Sequence, residues 1–250
     1  MDPGLERTNY RLYPVSYFGT RFLVRTFCKV WFSFRVEGAQ DVPRTGPLLL
    51  VSNHVSHIDP PIIGSAVPRA VRFLAKSELF STPGLNLLMR SWGQVPVYRE
   101  SKSSLYSAVR VAINLLEAGQ AVAIFPEGTR ARDGVFHPGR AKTGAAVIAL
   151  QSGAPILPMA LIGTYEAMPA GSRFPLHRPV TVRFGKVIDV SKYKGTTVTK
   201  EVAQELTQTL VREISALLPE HMKQAEEPTA FADDPAESVE PPAALQGETT

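Results

Sequence analysis

The chain has 250 residues, of which 44% are hydrophobic and 20% are charged, and this balance excludes a chain that is disordered throughout. A single cysteine, Cys28, excludes an internal disulfide and a cysteine-based zinc site. The length fits one domain with appended segments better than it fits two domains.

The formal charge of +4 conceals a difference between the body of the chain and its last 26 residues. Residues 225–250 contain seven acidic side chains and no basic one, so residues 1–224 carry 27 bases against 16 acids, a net charge of +11. Such a body favours anionic membranes, phosphorylated small molecules or nucleic acid. Four prolines and one aromatic residue in residues 225–250 predict a disordered acidic tail.

The first predicted element is a helix over about residues 17–34. Arg21, Arg25 and Lys29 recur every four residues and would lie on one helical face, beside a broad aromatic surface. We expect residues 1–38 to form an amphipathic segment that lies in a membrane interface, although a helix packed on the domain with its charges in water is the alternative. The charges argue against a spanning helix and a secretory signal, so the segment should remain in the mature protein.

Residues 39–224 alternate between strand and helix patterns. This alternation predicts an α/β domain with a mixed, mostly parallel sheet flanked by helices. Strands are predicted at 48–52, 71–74, 94–97, 121–125, 156–162 and 180–184, and helices at 101–119, 143–150 and 199–218. Although 143–165 is uncharged and long enough to span a bilayer, a glycine and two prolines divide it into a helix and a strand.

Polar side chains follow three of these strands at the point where each strand ends. They are His54, His57 and Asp59, then Arg99, and then Glu127, Thr129 and Arg130, with Gly128 after Glu127. Because ligands of open parallel sheets bind beyond the carboxyl ends of the strands, we expect these side chains to meet at one edge.

His54 and Asp59 have the spacing and chemistry of a general base and the carboxylate that orients it. An imidazole can take a proton near neutral pH, and a tight loop could fold the carboxylate back onto its second nitrogen. Two alternatives remain open. Asp59 precedes two prolines, which is also typical of a helix cap, and His54, His57 and Asp59 could bind a metal ion. The other histidines are scattered, so no metal is expected.

Arg99 and Arg130 are candidates for a phosphate clamp, because guanidinium groups bind phosphate through two parallel hydrogen bonds. Lys142 adds a positive charge in the same region. Solvated surface arginines, and a plain turn over residues 127–129, are the alternatives.

Four sequence blocks resemble the glycerolipid acyltransferase family, whose best-known members acylate 1-acylglycerol-3-phosphate. They read NHVSHID, GQVPVYR, FPEGTR and ILP, at residues 53–59, 93–99, 125–130 and 156–158. Two departures leave the choice of acceptor open. Pro96 interrupts a predicted strand, and Tyr98 stands where family members often have an acid.

The resemblance implies direct transfer of a fatty acyl group from a thioester, carried by coenzyme A or acyl carrier protein, to the hydroxyl of a lysophospholipid or glycerol phosphate. His54 would be the base and Asp59 would orient it. The acceptor would be bound by Arg99, Glu127, Gly128, Thr129 and Arg130, and Pro158 would shape the acyl-donor side. No cofactor, metal or nucleic acid is implied, and we expect attachment to the cytoplasmic face of an anionic membrane.

Two other activities remain open. The same His-Asp pair could activate water in a hydrolase, or the pocket could bind lipid without turnover.

Overall fold

The computed structural model describes residues 13–82, 84–97, 102–193 and 198–224. Arg99 and Tyr98, the predicted acidic tail and the first dozen residues lie outside this part of the chain.

A seven-stranded sheet forms the centre of the domain, in the order β1-β7-β6-β2-β5-β3-β4. Its strands are β1 (Arg35–Glu37), β2 (Leu48–Ser52), β3 (Val71–Lys76), β4 (Val95–Val97), β5 (Ala121–Ile124), β6 (Ile156–Ile162) and β7 (Thr181–Phe184). Only the β6–β7 pair is antiparallel among the ladders of the described residues. The predicted mixed, mostly parallel sheet is therefore confirmed.

Helices cover both faces of this sheet. They are α1 (Pro14–Trp31), α2 (Asp59–Ala66), α3 (Leu85–Ser91), α4 (Lys102–Glu117), α5 (Gly144–Ser152), α6 (Thr164–Ala167) and α7 (Lys200–Leu217). Side chains of α4, α5 and α7 form one hydrophobic layer, and side chains of α1 and α2 belong to the other. Strand β2 contributes Leu49 and Val51 to the first layer and Leu48 and Leu50 to the second. A strand buried on both faces has to be apolar at every position, which explains the continuous hydrophobic run.

Each predicted strand and helix is present, with ends that differ by up to three residues. Strand β1 and helices α2, α3 and α6 were not predicted, because three residues are too few to show alternation and four to eight residues make at most about two helical turns. Pro96 is tolerated because β4 is an edge strand, which pairs with β3 alone in the described sheet.

Two of the three basic side chains that were predicted to share one face of α1 contact the domain. Nε of Arg21 donates to the backbone oxygen of Gly64 (3.2 Å), and Nη1 of Arg25 donates to that of Ser65 (2.7 Å). Both carbonyls belong to the last turn of α2, where a helix presents unpaired oxygens and partial negative charge. Two of the three bases therefore dock α1 onto the domain.

The opposite surface of α1 is apolar and exposed. Its large hydrophobic side chains with more than a third of their surface exposed are Val15, Phe18, Phe22, Leu23, Phe27, Val30 and Trp31. No helix in the described ranges combines the length and the apolar character needed to span a bilayer.

Candidate active site

The loop after β2 brings His54 and Asp59 into direct contact. Nδ1 of His54 lies 2.7 Å from Oδ2 of Asp59. The same oxygen accepts hydrogen bonds from the backbone N–H groups of Val55 and Ser56, each at 2.8 Å. Asp59 is fully buried, so these bonds are not weakened by competing water. The loop therefore folds around one carboxylate oxygen, as the spacing of the two residues predicted.

Asp59 does not act as a helix cap. It is the first residue of α2, while Ile58 occupies the cap position without a side-chain hydrogen bond. Its carboxylate faces backwards, onto the residues that precede the helix. The cap alternative is therefore wrong, and the carboxylate serves the loop that holds the histidine.

The contact with Asp59 sets the tautomer of His54. Because a buried carboxylate accepts from Nδ1–H, the neutral ring presents the lone pair of Nε2, which has no hydrogen-bond partner among the described residues. The ring stacks on Phe125, with centroids 3.9 Å apart and planes 13° apart. A ring held on two sides with one nitrogen free is suited to accept a proton.

His57 takes no part in this pair. His57 is an exposed residue. The part of its ring that is shielded from water, and then the nearby charges of Arg130 and His54, lower its pKa. Within the described ranges, no three His, Cys, Asp or Glu side chains are arranged to hold a metal ion.

Asn53 fixes the end of β2 beside β6, a role that was not predicted. Its side-chain oxygen accepts from the backbone N–H of Leu161 (2.8 Å), and its Nδ2 donates to the backbone oxygen of the same residue (3.0 Å). The amide thus replaces a rung of the strand pairing at the base of residues 53–59, here called the catalytic loop because they include the candidate base His54. An asparagine directly after a buried strand was the available signal.

Glu127 binds backbone rather than solvent. It is 3% exposed, and Oε2 accepts from the backbone N–H of His54 (3.0 Å) while Oε1 accepts from that of His137 (3.4 Å). Burial raises the pKa of Glu127 to about 7, against the opposing effect of the two N–H groups and the charges of His137 and Arg140. The direct contact with glycerol phosphate that the resemblance implied stays a prediction.

The loop after β5 forms a cleft. The cleft has a volume of about 490 Å³ and is lined by Thr129, Arg130, Arg132, Asp133 and Arg140. It is joined to the catalytic loop because the backbone N–H of Ala131 donates to the backbone oxygen of His54 at 2.8 Å. Arg132 and Arg140 were not predicted, because charged residues in a loop have no periodicity that shows which way they face.

Gly128 and Lys142 lie together at one end of this loop. Gly128 has a φ of +67°, and a Cβ atom there would lie 3.7 Å from the Lys142 side chain. The backbone N–H of Lys142 donates to the backbone oxygen of Pro126 (2.9 Å), which closes the base of the loop. The structure thus brings Glu127, Gly128, Thr129, Arg130 and Lys142 into one loop next to His54.

Pro158 lies away from this edge, in the middle of β6, opposite Val51 of β2. It is buried, its backbone oxygen accepts from Gly185 N–H (2.8 Å), and its ring is close to the position that a Cβ on Gly185 would occupy. Its part on the acyl-donor side stays a prediction.

Cys28 is 1% exposed, at the inner face of α1. Burial raises the pKa of its thiol to about 11. A buried neutral thiol is not a nucleophile, which agrees with a transfer that forms no intermediate on cysteine.

Several known proteins resemble the chain over this region. The chain is 34% identical over 164 residues to the chloroplastic 1-acyl-sn-glycerol-3-phosphate acyltransferase LPAT1 of Arabidopsis thaliana. The match covers 65% of the chain and 45% of that protein. The chain is 29% identical over 181 residues to the 1-acyl-sn-glycerol-3-phosphate acyltransferase of Borreliella burgdorferi, covering 70% of each.

A solved structure has the same fold. The 1-acyl-sn-glycerophosphate acyltransferase PlsC of Thermotoga maritima matches with a TM-score of 0.62 and 28% sequence identity, over 82% of this chain and 83% of that one. The chain spans 45% of the length of LPAT1 and 44% of that of a second chloroplastic relative, the 1-acyl-sn-glycerol-3-phosphate acyltransferase BAT2 of Brassica napus, to which it is 32% identical over 155 residues, 58% of the chain. The Acyltransferase family model matches residues 33–162, which include the catalytic loop and the arginine cleft. That match covers 130 of the 250 residues, and the chain therefore belongs to the Acyltransferase family.

Proposed function

We propose that the chain transfers a fatty acyl group from an acyl thioester to the free hydroxyl of a lysophosphatidate-type acceptor, giving phosphatidate in phospholipid biosynthesis. The observation that carries the proposal is the His54–Asp59 pair, on a loop whose backbone is hydrogen-bonded to the loop that lines a cleft with three arginines. The names of the relatives support the acceptor, since each is an acyltransferase of 1-acyl-sn-glycerol-3-phosphate.

In the proposed reaction, Nε2 of His54 accepts the hydroxyl proton as the acceptor oxygen bonds to the thioester carbonyl carbon. Asp59 stabilises the imidazolium that forms, because its carboxylate remains hydrogen-bonded to Nδ1–H. The carbon–sulfur bond then breaks, and the imidazolium gives its proton to the departing sulfur. The products are an ester and a free thiol. General-base assistance of this kind contributes about 10² to 10⁴ in rate.

The acceptor phosphate would be bound by Thr129, Arg130 and Lys142, because these residues belong to the loop whose backbone is hydrogen-bonded to His54. Arg99, which the resemblance adds to this group, lies outside the described residues. Either coenzyme A or acyl carrier protein would supply the thioester, and no separate cofactor takes part.

Membrane attachment would use the apolar face of α1 rather than its arginines. Phe22 and Leu23 are 69% and 66% exposed, and burying such side chains in the acyl region contributes about 1.5 to 3 kcal/mol each. The net charge of +11 on residues 1–224, 27 bases minus 16 acids, would favour an anionic surface. This arrangement fits a peripheral or monotopic protein at the cytoplasmic face, where thioester donors are available.

The proposal is tested with one radiolabelled acyl-CoA and a panel of acceptors, with products separated by lipid chromatography. We expect labelled phosphatidate from lysophosphatidate, its loss in His54→Ala, and full turnover in His221→Ala, since His221 is exposed and lies outside the site. Turnover retained by His54→Ala would contradict the assignment of the base.

The second candidate is hydrolysis of the thioester, favoured by the exposure of 18% of the His54 side chain, which would admit water as the nucleophile. Free fatty acid produced at the same rate with and without acceptor would support it. Phosphatidate formed only in the presence of acceptor would support transfer.

A further inference from the structure

The segment that follows α7 is bonded to the loop that bears Glu127. Its residues 219–224, here called the strap, include a short helical turn at Glu220–Met222. The backbone N–H of Phe136 donates to the backbone oxygen of Met222 (2.8 Å), and the N–H of Gln224 donates to the oxygen of Phe136 (3.2 Å). Phe136 and Met222 are 0% and 1% exposed, so the junction is part of the core.

His137 continues this junction towards the active site. Its Nδ1 lies 2.5 Å from Oε1 of Gln224, and its Nε2 lies 2.7 Å from Oδ2 of Asp133. The Gln224 amide can present either its oxygen or its nitrogen to Nδ1, while Asp133 requires a proton on Nε2. The ring is therefore held from both sides in either protonation state, and it is 7% exposed.

The backbone of His137 completes a path to the base. Its N–H donates to Oε1 of Glu127, whose Oε2 accepts from the N–H of His54. The path runs from Gln224 through His137 and Glu127 to His54, over side chains and backbone groups that are bonded in sequence. Only its first residue, Gln224, is exposed.

We propose that the strap positions the catalytic base, with His137 and Gln224 as positioning residues that act on His54 through Glu127. None of His137, Asp133 and Gln224 lies in the four sequence blocks, and the first and last are 87 positions apart. This inference rests on the proposed function, because it concerns the same base.

The path also determines how the site responds to pH. Glu127 holds both backbone N–H groups only as a carboxylate, since a protonated acid presents an O–H in place of one acceptor. The charged groups that act on it are His137 and Arg140, together with the N–H groups of His54 and His137. If the strap is released, the N–H of His137 moves away, and the carboxylate becomes harder to ionise.

The test compares Gln224→Ala and His137→Ala with the intact enzyme and with Glu220→Gln. Glu220 is 91% exposed and lies outside the path, and a glutamine there can still accept from Nζ of Lys223, its 2.6 Å partner in the strap, so its variant should be unchanged. In the first two variants we expect kcat to fall about tenfold with KM altered less than about twofold, the effect of one lost positioning bond. The acid limb of the kcat profile should move to higher pH.

Three further measurements keep the proposal falsifiable. The double variant Gln224→Ala/His137→Ala should lose no more activity than His137→Ala, because both residues act through one path. Hydrogen exchange in the peptide containing residues 53–57 should be faster in Gln224→Ala than in Glu220→Gln. The variant Gln224→Glu keeps an acceptor for Nδ1 of His137, so it should recover most of the kcat.

Multiplicative losses in the double variant, or a reduced kcat with an unmoved acid limb, would overturn the proposal in favour of a purely structural role. So would a kcat within twofold of the intact enzyme in both single variants. Failure of the proposed function is recognised separately, because the intact enzyme and Glu220→Gln would then also form no phosphatidate.

Discussion

Nδ1 of His54 and Oδ2 of Asp59 are 2.7 Å apart, and the same oxygen accepts the backbone N–H groups of Val55 and Ser56. One buried atom therefore fixes both the shape of the catalytic loop and the tautomer of its histidine. A change at this carboxylate affects folding and chemistry together, unless the substitution preserves the oxygen.

The exposed face of α1 should bind membranes without contributing to stability. We expect Phe22→Ser/Leu23→Ser to lower the affinity for anionic vesicles at least about hundredfold, since about 3 to 6 kcal/mol of apolar burial is lost. The melting temperature should be unchanged, because both side chains are exposed. Vesicle sedimentation and thermal unfolding measure the two effects.

Arg25→Ala is the matched variant on the inner face of the same helix. It removes the hydrogen bond to Ser65 and should lower the melting temperature while vesicle binding changes little. Vesicle binding that depended on Arg25 and not on Phe22 and Leu23 would show that the arginines, not the apolar face, attach the protein.

The activity should fall as the pH decreases through about 7. Glu127 has a raised pKa of about 7 and holds the His54 backbone only when ionised, and His54 must be unprotonated to act as a base. In Glu127→Gln we expect kcat to be lower by about tenfold or more, because the amide leaves one buried N–H without an acceptor. One ionisation should remain on the acid side, and an unchanged profile would contradict this role.

The same group makes stability depend on pH. Because the pKa of Glu127 is higher in the folded protein than its ordinary value of 4.5, the folded state binds more protons between pH 4.5 and about 7. Its contribution to the free energy of unfolding therefore decreases as the pH rises through that interval, by about 3 kcal/mol. Denaturant unfolding at pH 5 and pH 8 should show this dependence in the intact protein and not in Glu127→Gln.

Gly134, next to Asp133 of the cleft, combines a left-handed backbone conformation with a close packing contact. Its φ is +79°, and a Cβ atom there would lie 2.5 Å from the Tyr165 ring. Gly153 has a φ of +65° with nothing within 4 Å of the added atom, so it reports the backbone cost alone. We expect Gly153→Ala to cost about 1 kcal/mol and Gly134→Ala about 2 to 4 kcal/mol, measured by urea unfolding. Equal losses of unfolding free energy in the two variants would show that the Tyr165 ring moves aside at no cost.

Cys28 should be dispensable for catalysis. Its thiol is buried, with a pKa raised to about 11, and it lies on the far side of α1 from solvent. We expect Cys28→Ala to retain activity within about twofold, and a thiol-alkylating reagent to leave the native enzyme active. Inactivation by the reagent that is absent in Cys28→Ala would contradict this expectation.

The elements of the fold could be predicted because their signals are local. Strand β2 is a continuous apolar run between turn residues, and α7 repeats apolar side chains at helical spacing. Asp59 lies five positions from His54, so their pairing needed only a tight loop. The order of the strands and the antiparallel β6–β7 pair depend on packing between distant segments, which no window of sequence records.

The sequence could not show which side of α1 meets the domain, and the reason is physical. Periodicity shows that Arg21 and Arg25 share a face, but it does not show whether that face meets lipid, water or protein. In the structure this face meets protein, because both arginines donate hydrogen bonds to backbone oxygens in the last turn of α2. The contact between His137 and Gln224 was missed for a similar reason, since residues 87 positions apart have no local pattern in common.

The most direct test of the account is kcat for Asp59→Asn, with Asp59→Ala as the matched variant. An asparagine oxygen can still accept from His54, Val55 and Ser56, and its nitrogen would replace Oδ1, which is buried without a partner among the described residues. Asp59→Asn should therefore stay folded, with a smaller loss of stability than Asp59→Ala, yet lose about 10² to 10⁴ in kcat, since a neutral amide stabilises the imidazolium poorly.

Asp59→Ala should lose the same activity and also at least about 3 kcal/mol of stability, because three donors lose their acceptor. The central claim is that the charge of Asp59 supports proton transfer at His54. Near-normal turnover of folded Asp59→Asn, measured as phosphatidate formed from lysophosphatidate and acyl-CoA, would contradict it.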